Sequence, residues 1–476
     1  MSRLRILLAA ALLGSTACVT AQPARPMNLV FILTDNHGAW TVGCYGNKDV
    51  QTPSIDKLAA DGMRFTRALS SNPVCSPTRA TYLTGLIPSQ HGIHSYLPAE
   101  KPGTNVPCAI GEFGNLPRIL HNAGYVCGLS GKWHLGGNYQ PQVGFSDWIT
   151  MPSGHTTTFY DAEVIEDGKL RKEPTYLTDL WTEHGVRFIE KNKDRPFFLY
   201  LAYNGPYGLG PSLNHPARNR WGAYYADKQL LSFPRDSMHP WQNANKQFLN
   251  NIVSIRRVAA EVSGVDDGVG QIMDTLHRLG LDQNTLVVFA GDQGWMGGQN
   301  GIWGMGDHLR PIGAFELMMH VPLIFRLPGK IPAGKTTDIF VSNYDFLPSV
   351  LSVMGLAEKM PRVPKSPGRD YSAVLRGETI AWNNEIFYEM ENVRAIREQR
   401  WKYVERHPDG PHELYDMQTD PHERVNLYGE PRQKEVQAEM AKRLAAFFAK
   451  YVDPQYDVWH GGRSKARRLG QAAKAE

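Results

Sequence analysis

The chain predicts an α/β fold: a large, mainly parallel sheet sandwiched by helices, joined to a smaller C-terminal α+β subdomain. Three observations carry this. Its 476 residues exceed what a single small core needs. Apolar runs of strand length alternate with segments of helical period, and alternating strands and helices favour a parallel sheet covered on both faces. Finally, 45 Gly and 32 Pro are spread along the chain, with 42% hydrophobic and 21% charged residues. That composition excludes disordered and fibrous architectures.

Taken in order, Arg3 and Arg5 precede an apolar run from Ile6 to Leu13, then small residues lead to Val19-Thr20-Ala21. This predicts a signal peptide over 1–21, cleaved before Gln22, and an exported protein, periplasmic or secreted. Ser15-Thr16-Ala17-Cys18 offers a second reading, a lipoprotein site lipidated at Cys18. No later run reaches about twenty uninterrupted apolar residues, so no transmembrane segment is expected.

Met27–Thr34 reads as a buried strand ending at Asp35-Asn36-His37-Gly38. Helical spacing follows over Ser54–Asp61, Leu116–Ala123 and Thr178–Lys191, then a β-rich run at Arg195–Tyr203, and a long helix at Ile252–Leu279. Thr285–Ala290 is a further buried strand, ending at Gly291-Asp292-Gln293-Gly294. Oxygen donors thus stand at two strand exits, where ligands collect in such sheets. A helix over Ser342–Met354 closes the large unit, 22–357, before a Pro-rich connection over 355–369. Strands at Glu385–Glu389, Trp401–Glu405 and around Glu413-Leu414-Tyr415-Asp416, with a helix from Gln433 to Tyr451, predict the small subdomain, 370–452. The basic tail, 453–476, is expected to be mobile.

The formal charge is +4, from 51 basic and 47 acidic side chains. The leader contributes Arg3 and Arg5, and the tail Arg463, Lys465, Arg467, Arg468 and Lys474, so the body is nearly neutral. Nucleic acid is therefore not an expected partner. After cleavage four cysteines remain, Cys44, Cys75, Cys108 and Cys127; their spacing does not choose a disulfide pairing.

The most informative segment is Cys75-Ser76-Pro77-Thr78-Arg79, followed by Ala80-Thr81-Tyr82-Leu83-Thr84-Gly85. It resembles the signature of the type I, formylglycine-dependent sulfatases of the alkaline phosphatase superfamily, and the likeness extends from Leu29 to about Leu427. The resemblance implies that Cys75 is oxidised to formylglycine by a maturation enzyme. There is a chemical reason for an aldehyde. A serine that attacked sulfur would be trapped as a stable sulfate ester, whereas one hydroxyl of a hydrated aldehyde attacks while deprotonation of the other expels sulfate. A helix beginning near Cys75 would turn its free amides toward the anion. Arg79, one turn on, is implied to hold the hydrate.

The same resemblance implies a calcium ion held by Asp35, Asn36, Asp292, Gln293 and the modified Cys75, a hard-oxygen set that suits Ca²⁺. Gly131-Lys132-Trp133-His134-Leu135 is similar to the family's Gly-Lys-Trp-His segment, with Lys132 holding sulfate and His134 moving a proton. The chain departs from the pattern elsewhere. Asn36 stands where an aspartate is usual, and Gln293 replaces asparagine or histidine. Tyr207 in Asn204-Gly205-Pro206-Tyr207 replaces a histidine, and Met305 in Trp303-Gly304-Met305-Gly306 a lysine. Tyr207 and His308 are candidates to fill those roles. His91 and His155 read first as hydrogen-bonded structural histidines and second as residues lining a cleft. Trp40, Trp295 and Trp303 read first as core residues and second as sugar-stacking faces. The implied reaction is hydrolysis of an organic sulfate monoester, with a sulfated carbohydrate as substrate. The alternatives are a phosphate or phosphonate ester hydrolase and a catalytically silent sulfated-glycan binder.

Overall fold

The computed structural model describes residues 25–99 and 106–466; the expected signal peptide over 1–21 and Cys18 lie outside them. Ten strands form the main sheet. From one edge they run Lys335–Thr337, Met63–Phe65, Leu323–Arg326, Thr285–Gly291, Asn28–Asp35, Phe197–Pro206, Val126–Gly131, Asp147–Thr150, Ala162–Glu166 and Lys169–Glu173. The central strands are parallel: Asn28–Asp35 pairs with Phe197–Pro206 on one side and Thr285–Gly291 on the other. Leu323–Arg326 is antiparallel to both neighbours, as is Ala162–Glu166, so the sheet is mixed toward its edges.

The strand Asn28–Asp35 is buried throughout, and its period of two divides it between two cores. Leu29, Phe31 and Leu33 pack with residues of the helices Cys75–Thr84, Leu116–Asn122 and Phe346–Val353. Val30 and Ile32 join the core made with Pro53–Ala60, Leu177–Asn192 and Ile252–Arg278. The expected helix over 342–354 starts later, because Val341–Ser342 pairs as a short strand with Ala68–Leu69 and Phe346 opens the α-helix.

A second sheet of four antiparallel strands, Glu385–Met390, Val393–Glu398, Trp401–Arg406 and Glu413–Asp416, is covered by the helix Lys434–Tyr451. The strand Val393–Glu398 was not predicted; its VRAIRE run is charged, yet its arginines are buried in ion pairs. Val74, immediately before Cys75, packs in one cluster with Met390, Val393 and Val404 of this sheet. The small sheet therefore buttresses the start of the Cys75 helix.

One expectation is corrected. The tail is not loose over 453–466: Tyr456 is buried, Asp457 accepts from Arg394 at 2.8 Å, and Lys465 reaches Glu112 at 2.8 Å. A basic composition suggested solvation, but these side chains find acidic and aromatic partners far away in sequence. Cys44, Cys75 and Cys127 are free thiols.

Candidate active site

The site lies beyond the carboxyl ends of the central strands. Asp35 ends one strand, Asp292 and Gln293 follow Gly291 at the end of its neighbour, Lys132 follows Gly131, and Tyr207 follows Pro206. Adjacent parallel strands deliver these side chains to one place, and loop hydrogen bonds lock them. Tyr207 N donates to Asp35 O at 3.0 Å, Asn36 Nδ2 donates to Tyr207 O at 3.0 Å, and Asn36 N donates to Asp292 Oδ1 at 3.0 Å. The backbone turns sharply to do this: Asn36, His134 and Tyr207 have φ of 54°, 57° and 55°, a region that costs energy for non-glycine residues and clusters at functional sites. Gly131, at φ 115°, has no alternative, since a Cβ there would stand 2.0 Å from Ala202 O.

Cys75 opens a helix, Cys75–Thr84, whose ten residues are all buried. Val74 precedes it and offers no capping side chain, so the turn's amides keep their affinity for an anion. Oxygen or sulfur atoms of Asp35, Cys75 and Asp292 all lie within 4.8 Å of one another. Arg79 donates to Asp292 Oδ2 from Nε at 3.1 Å and Nη2 at 2.8 Å, and from Nη1 to Lys132 O at 2.7 Å. Lys132 Nζ donates to Asp35 Oδ2. The side chains of Arg79, Lys132, Asp35 and Asp292 are wholly buried.

Burial at this charge density moves the protons. Burial pushes the Cys75 thiol up to about 12, opposed by Lys132 and reinforced by Asp35 and Asp292. An unmodified Cys75 is thus a poor nucleophile, because the thiolate is the reactive form. Burial, then Asp35, raises Asp292 to about 7. Burial works against the Lys132 ammonium, yet Asp35 outweighs it and raises its pKa. His134 is driven well below the usual range by burial, then by Lys132 and His155, and is neutral. Its Nε2 meets Leu97 O at 3.0 Å while its Nδ1 is buried without a partner. With Nε2 as the donor, Nδ1 carries an unused lone pair.

The structure thus brings together Asp35, Asn36, Cys75, Arg79, Lys132, Asp292 and Gln293. Tyr207 stands beside them, its ring 5.4 Å from Lys132 Nζ. His308 lies at the rim, its side chain 18% exposed and its Nδ1 taken by Met305 N at 3.2 Å. Trp295 and Trp303 are fully enclosed, which removes them as sugar-stacking faces; Trp40 is half-buried and donates to Trp295 O. His91 is enclosed, held by Thr81 and Ile93. Sequence reasoning missed Thr78, whose Oγ1 donates to Gln293 Oε1 at 3.2 Å; its place one turn into the Cys75 helix was the available signal. It also missed that His155 stands on Tyr207, with Nδ1 and Oη 3.4 Å apart. A cavity of about 650 Å³ lined by Trp148, Glu166, His184 and Lys191 contains none of these residues.

Comparison with known proteins identifies relatives of the whole chain. A family model described as Sulfatase matches residues 27–356, and one described as N-sulphoglucosamine sulphohydrolase, C-terminal, matches 313–450. An N-acetylglucosamine-6-O-sulfatase of Bacteroides thetaiotaomicron is 26% identical over 537 aligned residues, covering 96% of this chain and 92% of that protein. A solved structure described under metabolism of multiple glycosaminoglycans by Bacteroides thetaiotaomicron superposes with a TM-score of 0.75 at 22% identity, covering 91% of this chain and 98% of that one. The phosphonate monoester hydrolase of Agrobacterium radiobacter shares the fold, with a TM-score of 0.67 at 21% identity over 90% and 97% of the two chains.

Proposed function

Because the chain belongs to the sulfatase family, and is a hydrolase of sulfuric esters, we propose that it removes sulfate from a sulfated carbohydrate using formylglycine at position 75 and one calcium ion. The observation that carries this is the convergence of Asp35, Asp292 and Cys75 within 4.8 Å, enclosed with Arg79 and Lys132. The carbohydrate class rests on relatives such as the N-acetylglucosamine-6-O-sulfatase.

The residues fit a calcium ion. Two buried carboxylates this close repel each other, and the remaining donors are oxygens of Asn36 and Gln293, a set suited to a hard cation. Asn36 Oδ1 already faces Gln293. Gln293 turns Nε2 inward toward Asp35 and Oε1 toward Thr78, so a half-turn of its amide is required to present oxygen. When bound, the ion neutralises sulfate charge and polarises the attacking hydroxyl. Formylglycine supplies a hydrated aldehyde, which returns to the carbonyl as sulfate leaves.

The chain's own side chains do the rest. Lys132 and Arg79 present positive charge to the anionic oxygens from wholly buried positions, where such charge acts strongly. His134 takes a proton at Nδ1, the buried lone pair that nothing else uses. Tyr207 and His308 stand in for the histidine and lysine that the chain lacks, with Tyr207 supplying the proton to the departing oxygen. Export to the periplasm or beyond, and oxidation of Cys75 by a maturation enzyme, complete the reading. Among the described residues no helix is long and apolar enough to cross a membrane.

The test is twofold. Protein co-produced with a formylglycine-generating enzyme should yield a Cys75 peptide with the mass of the aldehyde. It should also release sulfate from sulfated mono- or oligosaccharides faster than it cleaves phosphate or phosphonate esters. The shared fold does not choose between those esters, so faster phosphonate cleavage would reassign the chemistry. Glycan binding with Cys75 unconverted would make the protein a binder.

A further inference from the structure

We propose that His155 is the proton reservoir for Tyr207, so that the two form a relay that protonates the departing alcohol oxygen. This rests on the sulfate-ester reading and names how that site manages without the family's histidine and lysine.

The loop around His155 is clamped on both sides. Gly154 lies against the face of His134, and a Cβ on it would stand 1.9 Å from that ring. Thr156 Oγ1 donates to Asn204 O at 3.3 Å and lies 3.2 Å from Asn204 Nδ2, while Trp181 Nε1 donates to Asn204 Oδ1 at 2.8 Å. Asn204 sits in the strand that ends at Pro206, so the same strand end that delivers Tyr207 also anchors the residue beside His155. Between these clamps the imidazole packs edge-on to Tyr96 at 5.0 Å and to His134 at 5.8 Å, and its Nδ1 meets Tyr207 Oη at 3.4 Å. That is a long hydrogen bond, of the kind that shortens when substrate closes a site.

The two partners differ in the way a relay requires. Tyr207 is 6% exposed and faces Lys132 and Cys75; the backbone of Thr156 also reaches its phenol. His155 is exposed, so it can regain a proton from water. The charges facing it come from Lys132, Asp307, Asp35 and His308. A phenol this enclosed regains its proton through the imidazole beside it.

The step balances as follows. The ester S–O bond breaks and its electron pair stays on the departing oxygen. That oxygen takes the Oη proton of Tyr207, the phenolate takes the Nδ1 proton of His155, and His155 Nε2 takes a proton from solvent in the same step, so the ring stays neutral and changes tautomer before solvent exchange restores it. Sulfur becomes bonded to the attacking oxygen on residue 75, whose proton passes to His134 Nδ1.

The experiment compares leaving groups. Converted wild-type, His155→Gln and Tyr207→Phe enzymes are assayed on an alkyl sulfate and on 4-nitrophenyl sulfate, whose leaving group needs no proton. General acid assistance is worth about 10²–10⁴-fold, so His155→Gln should lose about 10²-fold more kcat on the alkyl sulfate than on the aryl sulfate. Tyr207→Phe should show the same split, and the double variant should be little worse than either single one. Equal losses on both substrates would reduce His155 to a structural residue, and no loss would remove it from the reaction. Independently of turnover, NMR titration of the His155 ring in protein with Cys75 unconverted should shift on Tyr207→Phe; an unmoved titration would overturn the pairing. If wild type cleaves neither sulfate while the titration shifts, the pairing stands and the sulfate-ester reading falls.

Discussion

Asp35, Asp292, Arg79 and Lys132 at the end of the main sheet, and Glu316, Glu423, Arg397 and Lys402 beside the small one, are both quartets of two acids and two bases, the first wholly buried and the second buried except at Glu316. Both contain an acid whose proton affinity is strongly raised by burial. Asp292 stands at about 7, and Glu423 also at about 7, with Lys402 working in the other direction. Both also have a residue with left-handed backbone, Asn36 at φ 54° and Glu423 at φ 56°. Neither a shifted pKa nor a strained turn therefore distinguishes a reaction centre from a structural clasp.

What separates them is direction. In the clasp the charges pair off and close: Arg397 Nε donates to both Glu316 oxygens at 3.0 Å, Lys402 to Glu423 Oε1 at 2.6 Å, and Glu316 N to Glu423 Oε2 at 2.6 Å. At the sheet end both acids lean toward one point that also receives Cys75, and His134 keeps an unused lone pair. Closed pairs hold two sheets together; convergent donors wait for a ligand.

The largest expected effect breaks only one of the two clusters. Cys75→Ala should abolish sulfate release while leaving the thermal midpoint close to wild type, read by ion chromatography and calorimetry; activity near wild type would remove Cys75 as the attacking residue. Chelation should come next. Removing calcium from converted enzyme should eliminate turnover and lower Tm, and calcium at a hundredfold excess over Kd should restore about 2.7 kcal/mol. The clasp should do neither: its Tm effect is expected from Lys402→Met, which strands a buried Glu423 and should cost about 3–5 kcal/mol, measured by urea denaturation, with kcat per folded molecule preserved. Loss of kcat in that variant would show that the two clusters communicate.

A third buried acid sharpens the contrast because no cation among the described residues pairs with it. Glu261 accepts from Tyr176 Oη, and burial raises it to about 8 from 4.5. A carboxyl whose folded-state pKa is raised binds its proton more tightly in the native chain. Its contribution is therefore present below about 4.5 and lost as pH rises through about 8, at no more than about 1.4 kcal/mol per pH unit. Glu261→Gln should flatten the pH dependence of stability over that window; an unchanged slope would show that Glu261 is already ionised at neutral pH.

Much of the fold was legible because burial on both faces leaves a continuous apolar run, and the central strands are of that kind. The edges were less so. Met63–Phe65 and Lys335–Thr337 are three residues each, too short to show a period, and Val393–Glu398 hides its burial behind paired arginines. In the candidate site, residues that follow a buried run, Asp35 and Asp292, or belong to a compact motif, Cys75, Arg79, Lys132 and His134, stood out before any coordinates. Thr78 did not, and His155 stood out without its partner, since each matters through a residue more than 50 positions away.

By itself the order of residues determined the alternation of strand and helix, the placing of oxygen donors where strands end, and the cysteine segment that opens a helix. These are local properties, written in periodicity and in neighbouring residue types. Only the tertiary structure decided which strands lie side by side, and so which exits face each other; that choice minimises exposed apolar surface over the whole chain. It also decided that Lys132 meets Asp35 while Lys402 meets Glu423, that the tail's Asp457 and Lys465 find partners, and that His155 rests on Tyr207. A buried charge or polar group must be matched wherever the chain brings a partner, and that partner's address is not carried by its neighbours in sequence.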